Sequence, residues 1–385
     1  MRPEARIAAA IEILDTYLDG ATAEQALSGW ARRSRFAGSK DRAAIRDHVF
    51  DAIRNRASFA ALGGGLTGRG LLIGLHRASE RDLSEVFTGQ GHAPTPVTED
   101  EMPRDMTLAE SLDCPDWLFE LFQTDLGQDA SAILTALKKR APVCLRVNLA
   151  KSTRDKVIVA LREDAIIGEP SALVDTAIMV AQNARKIASS AAYTQGLIEL
   201  QDVGSQWISD QVPAPKSGTV LDMCAGGGGK ALAIAGRKSC RVLCSDINPR
   251  RMKTIPERAL RAGLERFVSV SETIGPAERF DTIVCDVPCS GSGSWRRDPE
   301  GKWNLTPERL TELVSMQADI LDRAASHLNV GGHIAYMTCS LLRRENHDQV
   351  SEFLRRHPAF RLTQQRQLTP LDGSDGFFVA ILNKG

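Results

Sequence analysis

From Gln201 onward the chain alternates between short apolar runs and amphipathic stretches, and this alternation restricts the fold more than any other feature. Strand-like runs fall at residues 219–223, 241–245, 280–285 and 333–338, and a last one closes the chain at 377–382. Helical patterns separate them at 230–237, 249–262, 307–328 and 344–356. Strands apolar on both faces, divided by helices, predict a mostly parallel sheet covered on each side, the α/β, Rossmann-like class. The preceding segment has a different texture. Residues 143–147 and 177–181 read as strands around a helix at 153–162, a small α+β unit. The first ~80 residues are helical, with Ile7, Ile11, Leu14 and Leu18, then Ile45, Val49, Ala52 and Ile53, recurring at helix spacing. A polar, proline-bearing stretch at 88–105 reads as a linker, and Asp116 as the N-cap of a helical segment that runs to about residue 140. The expected division is therefore an all-helical unit at 1–130, an α+β unit at 131–200, and a catalytic α/β unit at 201–385.

Composition excludes several classes. No apolar run reaches the ~18 residues of a membrane span, and charges at Arg2, Glu4, Arg6 and Glu12 break up any signal peptide. Eight cysteines in 385 residues, with no secretion signal, read as thiols of a reducing compartment, so the expected location is the cytoplasm. The net charge is zero, but residues 80–130 hold 13 acids against only Arg81 and Arg104. The rest of the chain is correspondingly basic, which permits a phosphate-bearing partner.

The first strand of the alternating region runs through Asp222 into Cys224-Ala225-Gly226-Gly227-Gly228-Gly229-Lys230. A strand, a glycine turn and a helix start form a ligand site at the carboxyl edge of such a sheet, because glycine lets backbone amides approach the ligand. About 20 residues on, the next strand ends at Asp246, suited to accept hydrogen bonds from ribose hydroxyls. The glycines lack the dinucleotide register and the P-loop frame, and an acid before the loop suits a cationic sulfonium. S-adenosylmethionine is favoured over NAD, which stays open.

Two cysteines end later strands: Cys289 in Asp286-Val287-Pro288-Cys289-Ser290, and Cys339 in Thr338-Cys339-Ser340. Carbon 5 of cytosine is a poor nucleophile until a thiolate adds at carbon 6, and cysteine both makes and releases such a bond. Asp286 and Cys289 stand where acid–base work is needed. A zinc site is not expected: the Cys240/Cys244 and Cys285/Cys289 pairs lack histidines at ligand spacing. Cys114, Cys144, Cys224 and Cys285 read as structural.

Together these segments resemble the RsmB/Sun-type RNA cytosine-5 methyltransferases. Asp222 to Lys230 matches the family's Asp-x-Cys-Ala-Ala-Pro-Gly-Gly-Lys, Asp286 to Ser290 its Asp-Ala-Pro-Cys-Ser, and Thr338 to Ser340 its Thr-Cys-Ser. Leu145-Arg146-Val147-Asn148 and Gln201-Asp202-Val203-Gly204-Ser205 add flanking matches, so the resemblance covers about 115–382. It implies Cys339 as nucleophile, Cys289 as the group assisting release, and Asp286 and Lys230 as supporting residues. It further implies a cofactor site of Cys224, Ala225, Gly226, Gly227, Gly228, Gly229, Lys230, Asp246 and Asp286. Glu272 stands where the family has an aspartate, and Gly226-Gly227 where it has Ala-Pro, which predicts a looser loop. The helices around Trp30, Arg32 and Phe36 resemble a NusB-like RNA-binding domain. Arg32, Arg33, Arg35, Lys40, Arg42 and Arg46 are candidates to contact phosphates, and Arg296, Arg297, Lys302 and Trp303 to meet RNA near the target.

The implied partner is RNA, 16S ribosomal RNA first, with no metal, no membrane and a monomeric state expected. Alternatives are methylation of tRNA, a weakly catalytic RNA-binding ribosome-assembly factor, and an NAD-linked oxidoreductase.

Overall fold

The computed structural model describes residues 1–214 and 218–385. They form two compact units, Met1–Arg140 with Trp295–Asn304, and Ala141–Ser294 with Leu305–Gly385.

The first unit is helical. Its helices α1 (Pro3–Leu18), α2 (Ala23–Arg33), α3 (Ser39–Arg54), α4 (Arg56–Leu62) and α5 (Gly68–Ala78) share one core. The three- and four-residue spacing of Ile7, Ala10, Ile13, Leu14 and Tyr17 puts one face of α1 inside, and Ile45, Val49, Ala52 and Ile53 do the same for α3. A reciprocal Thr22–Gln25 capping box starts α2. Further helices follow at Leu108–Ser111, Asp116–Leu126 and Ala130–Leu137. Pro115, not Asp116, is the N-cap of the second of these, and Asp116 is its first helical residue, where its charge meets the positive end of the helix.

The ten residues Trp295–Asn304 fold with these helices although they follow the cysteine loop of the other unit in sequence. Trp295 is buried edge-on against Phe122, with ring centroids 5.9 Å apart. The Trp303 indole donates to the Ile53 carbonyl at 2.7 Å, and Lys302, buried, donates to that of Arg54 at 3.3 Å.

The second unit holds two sheets. Strands β1 (Val143–Val147), β2 (Ile167–Pro170), β3 (Ala177–Gln182) and β4 (Ile198–Leu200) form an antiparallel sheet in the order β2-β3-β1-β4. Strands β5 (Thr219–Asp222), β6 (Arg241–Cys244), β7 (Val268–Val270), β8 (Phe280–Asp286), β9 (Leu328–Thr338), β10 (Phe360–Leu368) and β11 (Phe377–Lys384) form the other, ordered β10-β11-β9-β8-β5-β6-β7. β5 to β9 are parallel, while β11 and β10 add on antiparallel. Successive residues of β5 feed opposite cores. Val220 joins Val242, Val284 and Met337 under helix Gly229–Lys238, and Leu221 joins Ile283, Ile334 and Tyr336 under helix Pro307–His327. Helices thus cover both faces, as the alternating pattern predicts. The strand order reverses between β5 and β8, and sheets of this kind hold their ligands at the carboxyl ends beside such a reversal. Among the described residues no helix is long and apolar enough to cross a membrane.

Candidate active site

The predicted site residues follow the carboxyl ends of the parallel strands: Cys224 to Lys230 after β5, Asp246 after β6, Glu272, exposed, after the edge strand β7, Asp286 and Cys289 at and after the end of β8, and Cys339 after β9. β5 ends at Asp222 and turns through Cys224–Gly229 into helix Gly229–Lys238. Gly226 and Gly228 take φ of +51° and +77°, the left-handed region that only glycine enters without strain. The turn is pinned rather than loose. The Gly226 amide donates to Asp246 Oδ2 at 2.9 Å, Gly228 donates to the Ala225 carbonyl at 2.8 Å, and the Arg258 guanidinium donates to the Gly227 carbonyl. Arg251 lies 3.3 Å from Asp246 Oδ2, with its guanidinium where a Cβ on Gly226 would point. Two arginines therefore occupy the space left by the Gly226-Gly227 pair and restrain it.

Asp246 is buried at the end of β6, and its Oδ1 accepts from the Asn248 amide at 2.9 Å. Asp222 is 1% exposed, and its Oδ1 has no hydrogen-bond partner. Burial, and then the nearby Asp286 charge, push its carboxyl up to about 7. A buried carboxyl oxygen without a donor, next to a backbone cradle and a second acid, is a donor set whose chemistry fits a cationic nucleoside.

Beside the cradle, at the end of β8, Lys230 Nζ donates to Asp286 Oδ2 at 2.7 Å. Burial opposes the lysine's charge, but the carboxylate outweighs it and holds Lys230 above its ordinary value. Cys289 and Cys339 converge from the ends of β8 and β9 with their sulfurs 3.4 Å apart. The two thiols are pushed in opposite directions. The hydrogen bond from Cys289 holds Cys339 below the usual thiol range, helped by the Lys230 charge and the Ser294 hydroxyl, 3.8 Å away, and opposed by burial and Asp286. The same bond, burial, the neighbouring Cys339 charge and then that of Glu345 raise Cys289 well above that range. Burial raises Cys224 to about 12 and Cys285 well upward, which disfavours the thiolate at both.

The structure also brings in residues the motifs did not flag. Arg146, buried on β1, donates to Gln201 and to the Gly229 carbonyl at 2.8 Å, tying the small sheet to the start of the loop helix. Glu345, fully buried, accepts from both cysteine loops. Ser290 and Ser340, each directly after a cysteine, were the available signal for that carboxylate.

Lys302 and Trp303 are not placed to meet RNA: their polar atoms are spent on backbone carbonyls of the helical unit. Arg296 is 9% exposed and folds with the same unit. Of the six basic residues proposed to contact phosphates, Arg33 pairs with Glu12 at 2.7 Å, Arg46 with Glu24, and Arg42 donates to the Ala37 carbonyl at 2.9 Å. Arg32, Arg35 and Lys40 remain exposed. Among the described residues no group of three or more His, Cys, Asp or Glu is arranged to hold a metal ion.

A mostly parallel, helix-covered sheet with an acid-flanked glycine cradle at its reversal point is the architecture of the Rossmann-like methyltransferase class. Residues 212–383 match the family described as 16S rRNA methyltransferase RsmB/F, and residues 114–186 match the RsmF/B-like ferredoxin-like domain. The chain belongs to the RsmB/F methyltransferase family. Among its relatives is ribosomal RNA small subunit methyltransferase B of Photorhabdus laumondii, 32% identical over 70% of this chain and 66% of the relative. The enzyme of the same name from Vibrio vulnificus is 34% identical, again over 70% and 66%. The chain thus spans 66% of the length of the curated relatives it matches. In fold it is similar to PH0851, with a TM-score of 0.80 at 22% identity over 100% of this chain and 99% of that one. NSun6 from Pyrococcus horikoshii, solved with SFG, has a TM-score of 0.63 at 17% identity over 70% and 98%.

Proposed function

We propose that the chain methylates carbon 5 of a cytosine in RNA, with small-subunit ribosomal RNA as the substrate, and that Cys339 is the nucleophile. The observation that carries this reading is the pair of thiols 3.4 Å apart, poised in opposite directions, beside the Lys230–Asp286 pair and the glycine cradle. Residues Cys224 to Lys230, with Asp222 and Asp246, hold S-adenosylmethionine. When bound there it supplies an electrophilic methyl group. Lys230 favours the Cys339 thiolate, which adds to carbon 6 of the pyrimidine and makes carbon 5 nucleophilic. After methylation the carbon 5 proton leaves to a base, the carbon 6–sulfur bond breaks, and its electron pair returns to Cys339 as the ring double bond re-forms. Cys289, the partner that keeps its proton, assists this release together with Asp286. The helical unit serves as a NusB-like RNA-binding domain, with Arg32, Arg35 and Lys40 as its phosphate-facing residues.

Trapping separates the roles. Cys289→Ala accumulates an RNA–protein adduct that survives a denaturing gel, and Cys339→Ala forms none and is inactive. Methylation by Cys339→Ala would refute the assignment. Bisulfite sequencing of total RNA with and without the gene identifies the nucleotide, and a tRNA signal alone would refute the ribosomal substrate.

A further inference from the structure

Glu345 is 0% exposed. Its Oε1 accepts from the Ser290 amide at 2.8 Å and from Gln317 Nε2 at 3.0 Å, and its Oε2 accepts from the hydroxyls of Ser290 and Ser340. Four donors converging on one carboxyl group suit an acceptor with no proton of its own. Ser290 follows Cys289 and Ser340 follows Cys339, so one buried carboxylate joins the two loops that carry the thiols. Ser292 closes the knot, its hydroxyl 3.0 Å from that of Ser340 and accepting the Leu341 amide at 2.8 Å. Asn346, next in sequence, accepts from the Thr338 hydroxyl and donates to the Ser340 carbonyl at 2.9 Å.

The charged groups around the thiols are distributed unevenly. Lys230 and the Ser294 hydroxyl favour the Cys339 thiolate and Asp286 opposes it, whereas Cys289 is held protonated first by its hydrogen bond to Cys339, burial and the Cys339 charge, and then by Glu345. The Tyr336 hydroxyl, behind this cluster, donates to the Glu345 carbonyl at 2.6 Å.

Building on the proposed function, we propose that Glu345 is a positioning residue that makes the two thiols inequivalent. Its carboxylate fixes the two cysteine loops in register and sets a negative charge beside the Cys289 loop, so that Cys289 keeps its proton while Cys339 gives its proton up. In this arrangement Glu345 touches neither nucleoside nor cofactor. It acts through the geometry and charge it gives to the cysteines.

The test reads each thiol separately, as pH-dependent alkylation by iodoacetamide of the full chain, followed peptide by peptide by mass spectrometry. In Cys339→Ser, where Cys289 titrates alone, its midpoint lies above the ~8.5 of a free thiol. Adding Glu345→Gln, folded by circular dichroism, lowers that midpoint by about one pH unit or more, roughly tenfold faster labelling at fixed pH. Glu345→Asp, which keeps the charge, restores the slow labelling. A Cys289 midpoint at or below 8.5 in Cys339→Ser overturns the proposal, even if Glu345→Gln does not fold. So does a folded Glu345→Gln with an unchanged midpoint. These readouts need no RNA, so loss of the methyltransferase reading would appear in the adduct experiment and not here.

Discussion

Asp222→Asn probes the cofactor cradle through the stability of the ligand-free protein. The fully buried carboxyl rises from its ordinary 3.8 to about 7 in the folded chain, first through burial and then through Asp286. A folded-state value above the unfolded one means that the native protein holds a proton the unfolded chain has already lost. The resulting stabilisation is fully present below about pH 4 and disappears as pH rises to about 7. Roughly three pH units at about 1.4 kcal/mol each give a loss of up to about 4 kcal/mol across that window. An asparagine does not ionise and cannot contribute that slope. Urea unfolding of the ligand-free protein between pH 4.5 and 8 should show the wild type losing stability more steeply than the variant, with the curves diverging by a few kcal/mol at pH 8. Saturating S-adenosylmethionine should stabilise the wild type more at pH 8 than at pH 5.5, because its cation then meets an ionised Asp222, and this pH effect should vanish in the variant. Parallel pH–stability curves for the two proteins would refute the assignment of a protonated, cation-seeking Asp222.

Lys230→Met removes the positive charge beside Cys339, so the alkylation midpoint of that thiol should move to higher pH and methylation should fall by about two orders of magnitude, checked by iodoacetamide labelling and single-turnover methyl transfer. Gly228→Ala places a Cβ 2.9 Å from Ile255 Cγ1 at a φ of +77°. It should cost about 1–3 kcal/mol and weaken cofactor binding, measured by thermal melting and calorimetry. Gly227→Ala is the mild counterpart, since its Cβ meets only Arg258 Nη1 at 3.2 Å.

The parts of the fold that were readable from sequence are those where burial writes a period into the chain. β5, β6, β8, β9 and β11 are apolar because both their faces are covered, so their runs stand out. β10 gives no such signal: Arg361 to Arg366 are all exposed, and the strand is held by antiparallel backbone pairing to β11 at the sheet edge. In the site, the glycine turn and the two cysteines were legible because their residue types are chemically rare in those settings. Glu345 was not, because an acid in a polar stretch reads as a solvated charge unless its four donors, drawn from Ser290, Gln317 and Ser340, are already known. Lys302 and Trp303 misled for a related reason. A cation near an aromatic ring serves a nucleobase and a helix bundle equally well, and here the lysine nitrogen lies 4.8 Å from the tryptophan ring centroid within the bundle. Arg251 and Arg258 show that the looseness inferred from consecutive glycines depends on neighbours that the local sequence does not display.

The short excursion of Trp295–Asn304 bears on how this chain could be cut. A fragment beginning at residue 141 would retain those ten residues but discard the helices that bury Trp295 and Lys302. An indole and an ammonium group would be left stranded on the stretch that follows Ser294, one residue from the group that hydrogen-bonds Cys339. The boundary that looks natural along the sequence is therefore a poor place for scissors. A separable catalytic fragment would need that excursion replaced by a short polar bridge, and its solubility would report how much the missing helices contribute.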